Sequence, residues 1–175
     1  MRTEGRPGPE IWIRGPVDAG VAELGAVRQE GTRGHATARR YSWVGTHGGA
    51  GVSTLAAVYG GHDCGRDWPG PDAPHSVLLV ARTHASGLAA VLRAAEVFRR
   101  GEAPAGLDLD AVVLVADAPG RLPRPLVQHI RVIESAIDVY RVPWVPAWRL
   151  GDLGGDPPRE AEPLARLTGA AARGR

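Results

Sequence analysis

Lysine is missing from this chain: all 21 basic residues are arginine. No segment can therefore lend an ammonium to another. A composition rich in Ala, Gly, Pro and Arg is also what a strongly GC-biased genome encodes, and that accounts for most of the arginine preference. Cysteine is nearly missing too, and the single Cys64 excludes an intramolecular disulfide. No apolar run approaches the roughly 20 residues that span a bilayer, and no apolar core of signal-peptide length opens the chain. The expectation is a cytoplasmic protein with no membrane association. Excess charge is scarce as well. A formal net charge of +2 gives no strong signal for nucleic acid, although the calculated pI is about 9.2. A length of 175 residues suits one domain with a real core.

What the chain does have is a glycine-rich turn between an apolar strand end and a helix. Trp43-Val44-Gly45 runs into Thr46-His47-Gly48-Gly49-Ala50-Gly51, and Val52-Ser53-Thr54-Leu55-Ala56-Ala57 begins the helix with two hydroxyls in its first turn. This is the local design of a phosphate-binding loop, in which backbone amides at a helix start surround an anion. The position before Ser53, where a lysine normally reaches the β- and γ-phosphates, is Val52. Composition does not explain that residue, because arginine was available to keep the charge.

The run His47-Gly48-Gly49-Ala50-Gly51-Val52-Ser53-Thr54 resembles the lysine-glycine-glycine-x-glycine-lysine-serine-threonine loop of the ParA/MinD group of ATPases. Glycines and hydroxyls are in register, and both lysines are replaced. In that group the first lysine reaches across a dimer and the second lies along the phosphates; His47 and Val52 stand in their places. The chain over about 41 to 150 also resembles a small family of P-loop-like proteins from high-GC bacteria, through the phrases Gly48 to Thr54, Ala81 to Leu88 and Asp117 to Leu122. The resemblance implies a truncated P-loop fold, a bound nucleotide such as ATP with magnesium, Ser53 at the magnesium-ligand position and Thr54 near the α-phosphate.

Residues 1 to 40 hold no helical or alternating period for long and read as a flexible arm, with Ile11-Trp12-Ile13 as a possible edge strand. Tyr41 to Gly45 reads as the first strand and Val52 to Tyr59 as the first helix, stopped by Gly60-Gly61. Residues 60 to 75 carry so many breakers that they read as a loop. Ser76 to Ala81 and Ala111 to Ala116 are continuous apolar runs, which suit strands buried on both faces. Between them Leu88, Val91, Leu92, Ala95 and Phe98 recur at helical spacing. Pro125 suits the first turn of a helix carrying Leu126, Val127, Ile130 and Ile133. Val139 to Val145 reads as a strand at the sheet margin, because of Pro143 and Pro146. From Gly151 to residue 175 a tail rich in Gly, Pro, Ala and Arg has room for a short helix around Ala161 to Ala172. The alternation predicts an α/β fold: an open, mainly parallel sheet of four to five strands with helices on both faces, spanning residues 41 to 150. Such sheets bind ligands beyond the carboxyl ends of their strands, here the loops starting at Gly45, Arg82, Asp117 and Trp144.

Two alignments to the ParA/MinD pattern compete. In the preferred one, Leu78 to Leu88 matches a later strand-and-helix unit, Val139 to Arg149 matches the late strand whose loop approaches the base, and the middle of the fold is deleted. In the other, Val113 to Gly120 looks like the Walker B strand, and Asp117 would help Ser53 hold magnesium through water. The simpler reading of Asp117 is as an acceptor of backbone hydrogen bonds in a turn with Pro119 and Gly120.

Phosphate binding by the amides of Gly48 to Ser53 depends on glycine content, so it survives the loss of lysine. Hydrolysis is harder to support, because phosphoryl transfer is catalysed mainly by charge stabilisation. Arg82, Arg66, Arg121 and Arg149 are candidates to replace the lost cation, with Arg82 first because it directly follows a buried strand. His47, His62, Asp63, Cys64, His75 and His84 fit no familiar zinc spacing. Trp144 and Trp148 are candidates for stacking on a base or for packing under the tail. Arg39-Arg40 and Arg99-Arg100 read as solvated charge pairs. The leading expectation is a catalytically impaired domain that binds a nucleotide, a phosphate group or a protein partner, itself included as a homodimer. It would serve a ParA/MinD-type or DNA-transfer system. The alternatives are a residual NTPase completed by arginine or a partner subunit, and a ligand-free interaction module.

Overall fold

The computed structural model describes residues 41–170. The arm read over 1–40, with Ile11-Trp12-Ile13 and Arg39-Arg40, lies outside the described residues. Strand β1 (Tyr41–Gly45) leads to α1 (Val52–Tyr59), then β2 (His62–Asp63), β3 (Ser76–Arg82), α2 (Ala85–Arg99), β4 (Asp108–Val115), α3 (Arg124–Glu134) and β5 (Val139–Val142). A single turn of helix, α4 (Pro146–Arg149), follows, and a 3-10 turn (Arg159–Ala161) continues into α5 (Glu162–Thr168).

The five strands form one sheet in the order β2-β1-β3-β4-β5, and every neighbouring pair is parallel. This is the open α/β sheet that the alternation predicts. Alternating side chains divide the core between the two faces of the sheet. Trp43, Leu78, Val80 and Val113 pack with Leu55 and Tyr59 of α1 and Leu164 of α5. Val44, Val77, Leu79, Val112 and Leu114 pack with Leu88 and Val91 of α2 and Ile130 and Ile133 of α3. Strands covered on both sides have no polar face, which is why β3 reads as an unbroken apolar run. Each fully buried Leu, Ile or Val contributes about 1.5–3 kcal/mol against leaving it in water.

Besides β5, which ends at Val142 rather than at the expected Val145, two segments depart from the expectation. The stretch over 60 to 75 is not all loop, because His62 and Asp63 pair with Ser42 and Trp43. The cause lies in β1. The buried Trp43 indole Nε1 donates to the Gly60 carbonyl at 2.6 Å, and a Cβ on Gly61 (φ +101°) would lie 2.5 Å from that nitrogen. Only glycine lets the chain turn so close to the ring and run on beside β1. The Cys64 amide then donates to the Trp43 carbonyl, and the Gly45 amide to the Gly65 carbonyl at 2.7 Å. Second, the segment after 151 joins the body: Ala161, Leu164, Ala165 and Ala170 are buried in the same cluster as α1. The short helix expected there is α5, with Gly169 (φ +75°) as its stop.

Because all strands point one way, the loops after β1, β3, β4 and β5 share one rim of the sheet.

Candidate functional site

The loop from Thr46 to Gly51 is fastened at both ends. Thr46 donates from its amide and from Oγ1 to the Val80 carbonyl, at 2.9 and 3.2 Å, which ties the loop to β3. His47 turns toward the start of α2. Its Nε2 accepts the Arg82 amide at 3.0 Å, so the ring proton sits on Nδ1, 2.8 Å from the Gly48 carbonyl. The His47 ring lies against His84 with centroids 4.9 Å apart. His84 caps α2 by accepting the Gly87 amide on Nδ1 at 2.9 Å. The residue that replaces the first lysine of the resembled loop is thus a bracket between loop and helix.

Gly49 (φ +73°) and Gly51 (φ +105°) take backbone angles that L side chains rarely adopt, and they fold the loop back over the start of α1. Gly51 is the cap residue of α1, with no side-chain capping bond and no acidic residue in the first turn. No acceptor among the described residues meets the amides of Gly51, Val52 and Ser53. A helix start normally satisfies such donors with a side chain, water or a ligand. Val52 is 8% exposed and belongs to the core beneath the loop. It does not close the loop from above: the loop opens on a groove of about 460 Å³ whose wall runs from His47 to Thr54 and includes Gly65, Arg66, Arg82 and Arg149.

Arg82, at the end of β3, is the cation held most firmly in that groove. Its Nε donates to the Gly49 carbonyl at 3.2 Å and its Nη1 to the Ala116 carbonyl at 2.9 Å. Its Nη2 lies 3.7 Å from where a Cβ on Gly51 would stand. Burial draws the guanidinium below its ordinary pKa; Asp117 opposes this, and the like charge of Arg149 adds to it. Arg149 stands over the Trp144 ring at 5.7 Å, a cation–π arrangement. A second hollow of about 220 Å³ adjoins the groove through Gly51, Thr54, Arg82 and Arg149, and Leu55, Val115, Trp144 and Trp148 add apolar wall. Trp148 also packs edge-on against Tyr59 at 6.5 Å.

Of the four candidate arginines, Arg66, Arg82 and Arg149 are brought to the loop, and Arg121 is not. Ser53 lines the groove and is exposed. Asp117 opens instead on a separate hollow of about 180 Å³ shared with Thr83, His84 and Arg121, and its amide donates to Thr83 Oγ1 at 3.1 Å. Arg66 gains its place from the turn after β2, whose pairing with β1 brings Gly65 against Gly45. The clue available beforehand was Gly65-Arg66 following so soon after Gly60-Gly61. No three His, Cys, Asp or Glu side chains among the described residues gather as a metal site. Burial pushes the Cys64 thiol above its usual pKa, with a Ser42 hydrogen bond pulling the other way and Asp63 and Asp67 adding to the rise. No helix among the described residues is long and apolar enough to cross a membrane.

No curated protein and no solved structure matches the chain. Residues 41–164, which run from the first strand into α5, match the "Family of unknown function (DUF6668)", and the chain belongs to that family.

Proposed function

We propose that this protein binds the phosphate end of a nucleotide, or another phosphate-bearing group, in the groove over the start of α1, and that it acts by binding. The carrying observation is one place where two kinds of anion donor meet. The amides of Gly51 to Ser53 have no acceptor among the described residues, and the guanidiniums of Arg66, Arg82 and Arg149 face the same groove. Amides and helix dipole favour an anion, and arginine forks suit phosphate oxygens. The adjoining hollow with Trp144 and Trp148 is suited to a flat apolar group beside the phosphates, which favours a nucleotide over a bare ion.

Hydrolysis has less support. The lysine position of the resembled loop is filled by a core valine, and among the described residues no carboxylate lines the groove to orient a water molecule. The likeness of the loop to the ParA/MinD group makes an accessory role in such a system, or in DNA transfer, the working context, by analogy alone. One observation favours the second reading, a residual NTPase: an arginine touches the loop, Arg82 Nε donating to the Gly49 carbonyl.

Calorimetric titration with ATP, ADP and GTP tests binding, with a dissociation constant in the micromolar to millimolar range expected, about −4 to −8 kcal/mol. Phosphate release measured beside Ser53→Ala separates the two readings. Release that disappears with Ser53→Ala rejects the binding-only account.

A further inference from the structure

The resemblance of the loop to a nucleotide-hydrolysing group implies magnesium, with Ser53 as a ligand and Asp117 as the supporting carboxylate. The donor set does not fit that ion. Magnesium demands six oxygens in near-octahedral order and is usually held by one or two carboxylates together with phosphates and water. Among the described residues the groove wall holds neither Asp nor Glu, and Ser53 Oγ is what it offers in their place. Asp117 faces a different hollow, and the described residues include no cluster of three metal-ligating side chains.

What the groove has instead is three guanidiniums. We propose that it takes phosphate groups as free anions, with Arg66, Arg82 and Arg149 supplying the neutralising charge that magnesium supplies elsewhere. This rests on the phosphate-binding reading above and narrows it to a metal-free polyphosphate, such as a nucleoside triphosphate or its bare triphosphate.

Three observations carry the inference. Arg82 is pre-set: two of its nitrogens are occupied by the Gly49 and Ala116 carbonyls, which fixes the plane of the fork and leaves Nη2 beside Gly51. A guanidinium fixed in this way loses little freedom when it grips an oxyanion. Arg149 is steadied over Trp144 at the boundary between groove and apolar hollow, where it can meet a phosphate next to a base or sugar. Third, Arg82 and Arg149 stand as like charges on one groove wall, and Asp117, which faces another hollow, relieves Arg82 in part. An anion between them relieves both. Magnesium on the phosphates cancels part of the anion's charge before it arrives, so these cations then meet a weaker partner.

Titration of the full chain with ATP and with inorganic triphosphate, in EDTA and in excess magnesium, decides the matter. Binding in EDTA is expected to be at least as tight as in magnesium, by about threefold to tenfold. In EDTA, Arg82→Ala should weaken it about tenfold to a hundredfold, the loss of one charge-assisted hydrogen bond. Arg149→Ala changes an exposed side chain and should weaken it about tenfold, with the folded state verified by its thermal midpoint. Binding that requires magnesium overturns the inference and leaves the groove a phosphate site. Binding in EDTA that neither variant weakens also overturns it. No saturable binding in either buffer overturns the phosphate reading itself, and the inference with it.

Discussion

Gly51 carries more geometric constraint than any side chain around it. Its φ of +105° and the nearness of Arg82 Nη2, 3.7 Å from an added Cβ, mean that a side chain there is strained and also stands against the guanidinium. Gly51→Val should lower stability by about 1–3 kcal/mol, read from chemical denaturation, and weaken ATP binding at least tenfold. Tyr59 offers a different test. It is fully buried, and burial pushes its phenol up to about 12. An unfolded tyrosine ionises near about pH 10. The folded value is the higher one, so its contribution to stability is whole below about pH 10 and is lost as pH rises toward 12. Thermal midpoints should fall across that window, and Tyr59→Phe should flatten the fall. At this scale the sequence was half legible. The glycine-rich turn before Val52 could be read directly; that Val52 would lie in the core depends on packing no local window contains, and that His47 would bind the Arg82 amide depends on a contact 35 residues apart.

Among the elements, α2 shows how capping and position cooperate. His84 holds its first turn through the Gly87 amide and stands against His47, so the start of α2 and the loop before α1 rest on one pair of rings. His84→Ala should cost about 1 kcal/mol of unfolding free energy, and His84→Asn, which can cap, should recover most of it. Strands β3 and β4 and helices α2 and α3 could be read in advance because their periodicity is long and unbroken. The two-residue β2 was beyond such reading. Its pairing follows from the Trp43 indole meeting Gly60, a tertiary contact no local window contains. Helix α4 is likewise set by Pro146 and the edge of the sheet rather than by any period. Because β2 positions Arg66 and α4 positions Arg149, the unreadable elements are the ones that complete the groove.

For the molecule as a whole, a net charge of only +2 means that attraction for phosphate is local rather than general. Duplex DNA should therefore not compete with ATP at physiological salt, which a displacement titration can verify. The lysine-free composition also clears the alkaline titration curve. With no lysine ammonium group titrating in the same range, the Tyr59 transition can be followed against a clear background.

The two margins of the sheet bear on how copies of this protein can meet. On one side β1 is lined by the short run His62 to Gly65, and on the other β5 lies beside the 3-10 turn Arg159–Ala161. Strand β2 spans two residues and β5 four, so among the described residues each margin offers a neighbour only a short ladder to extend. With edges this short, a second copy would meet this body through its helical flanks or through the rim that holds the arginines. In the second case, occupancy of the groove and the number of copies in the assembly would change together.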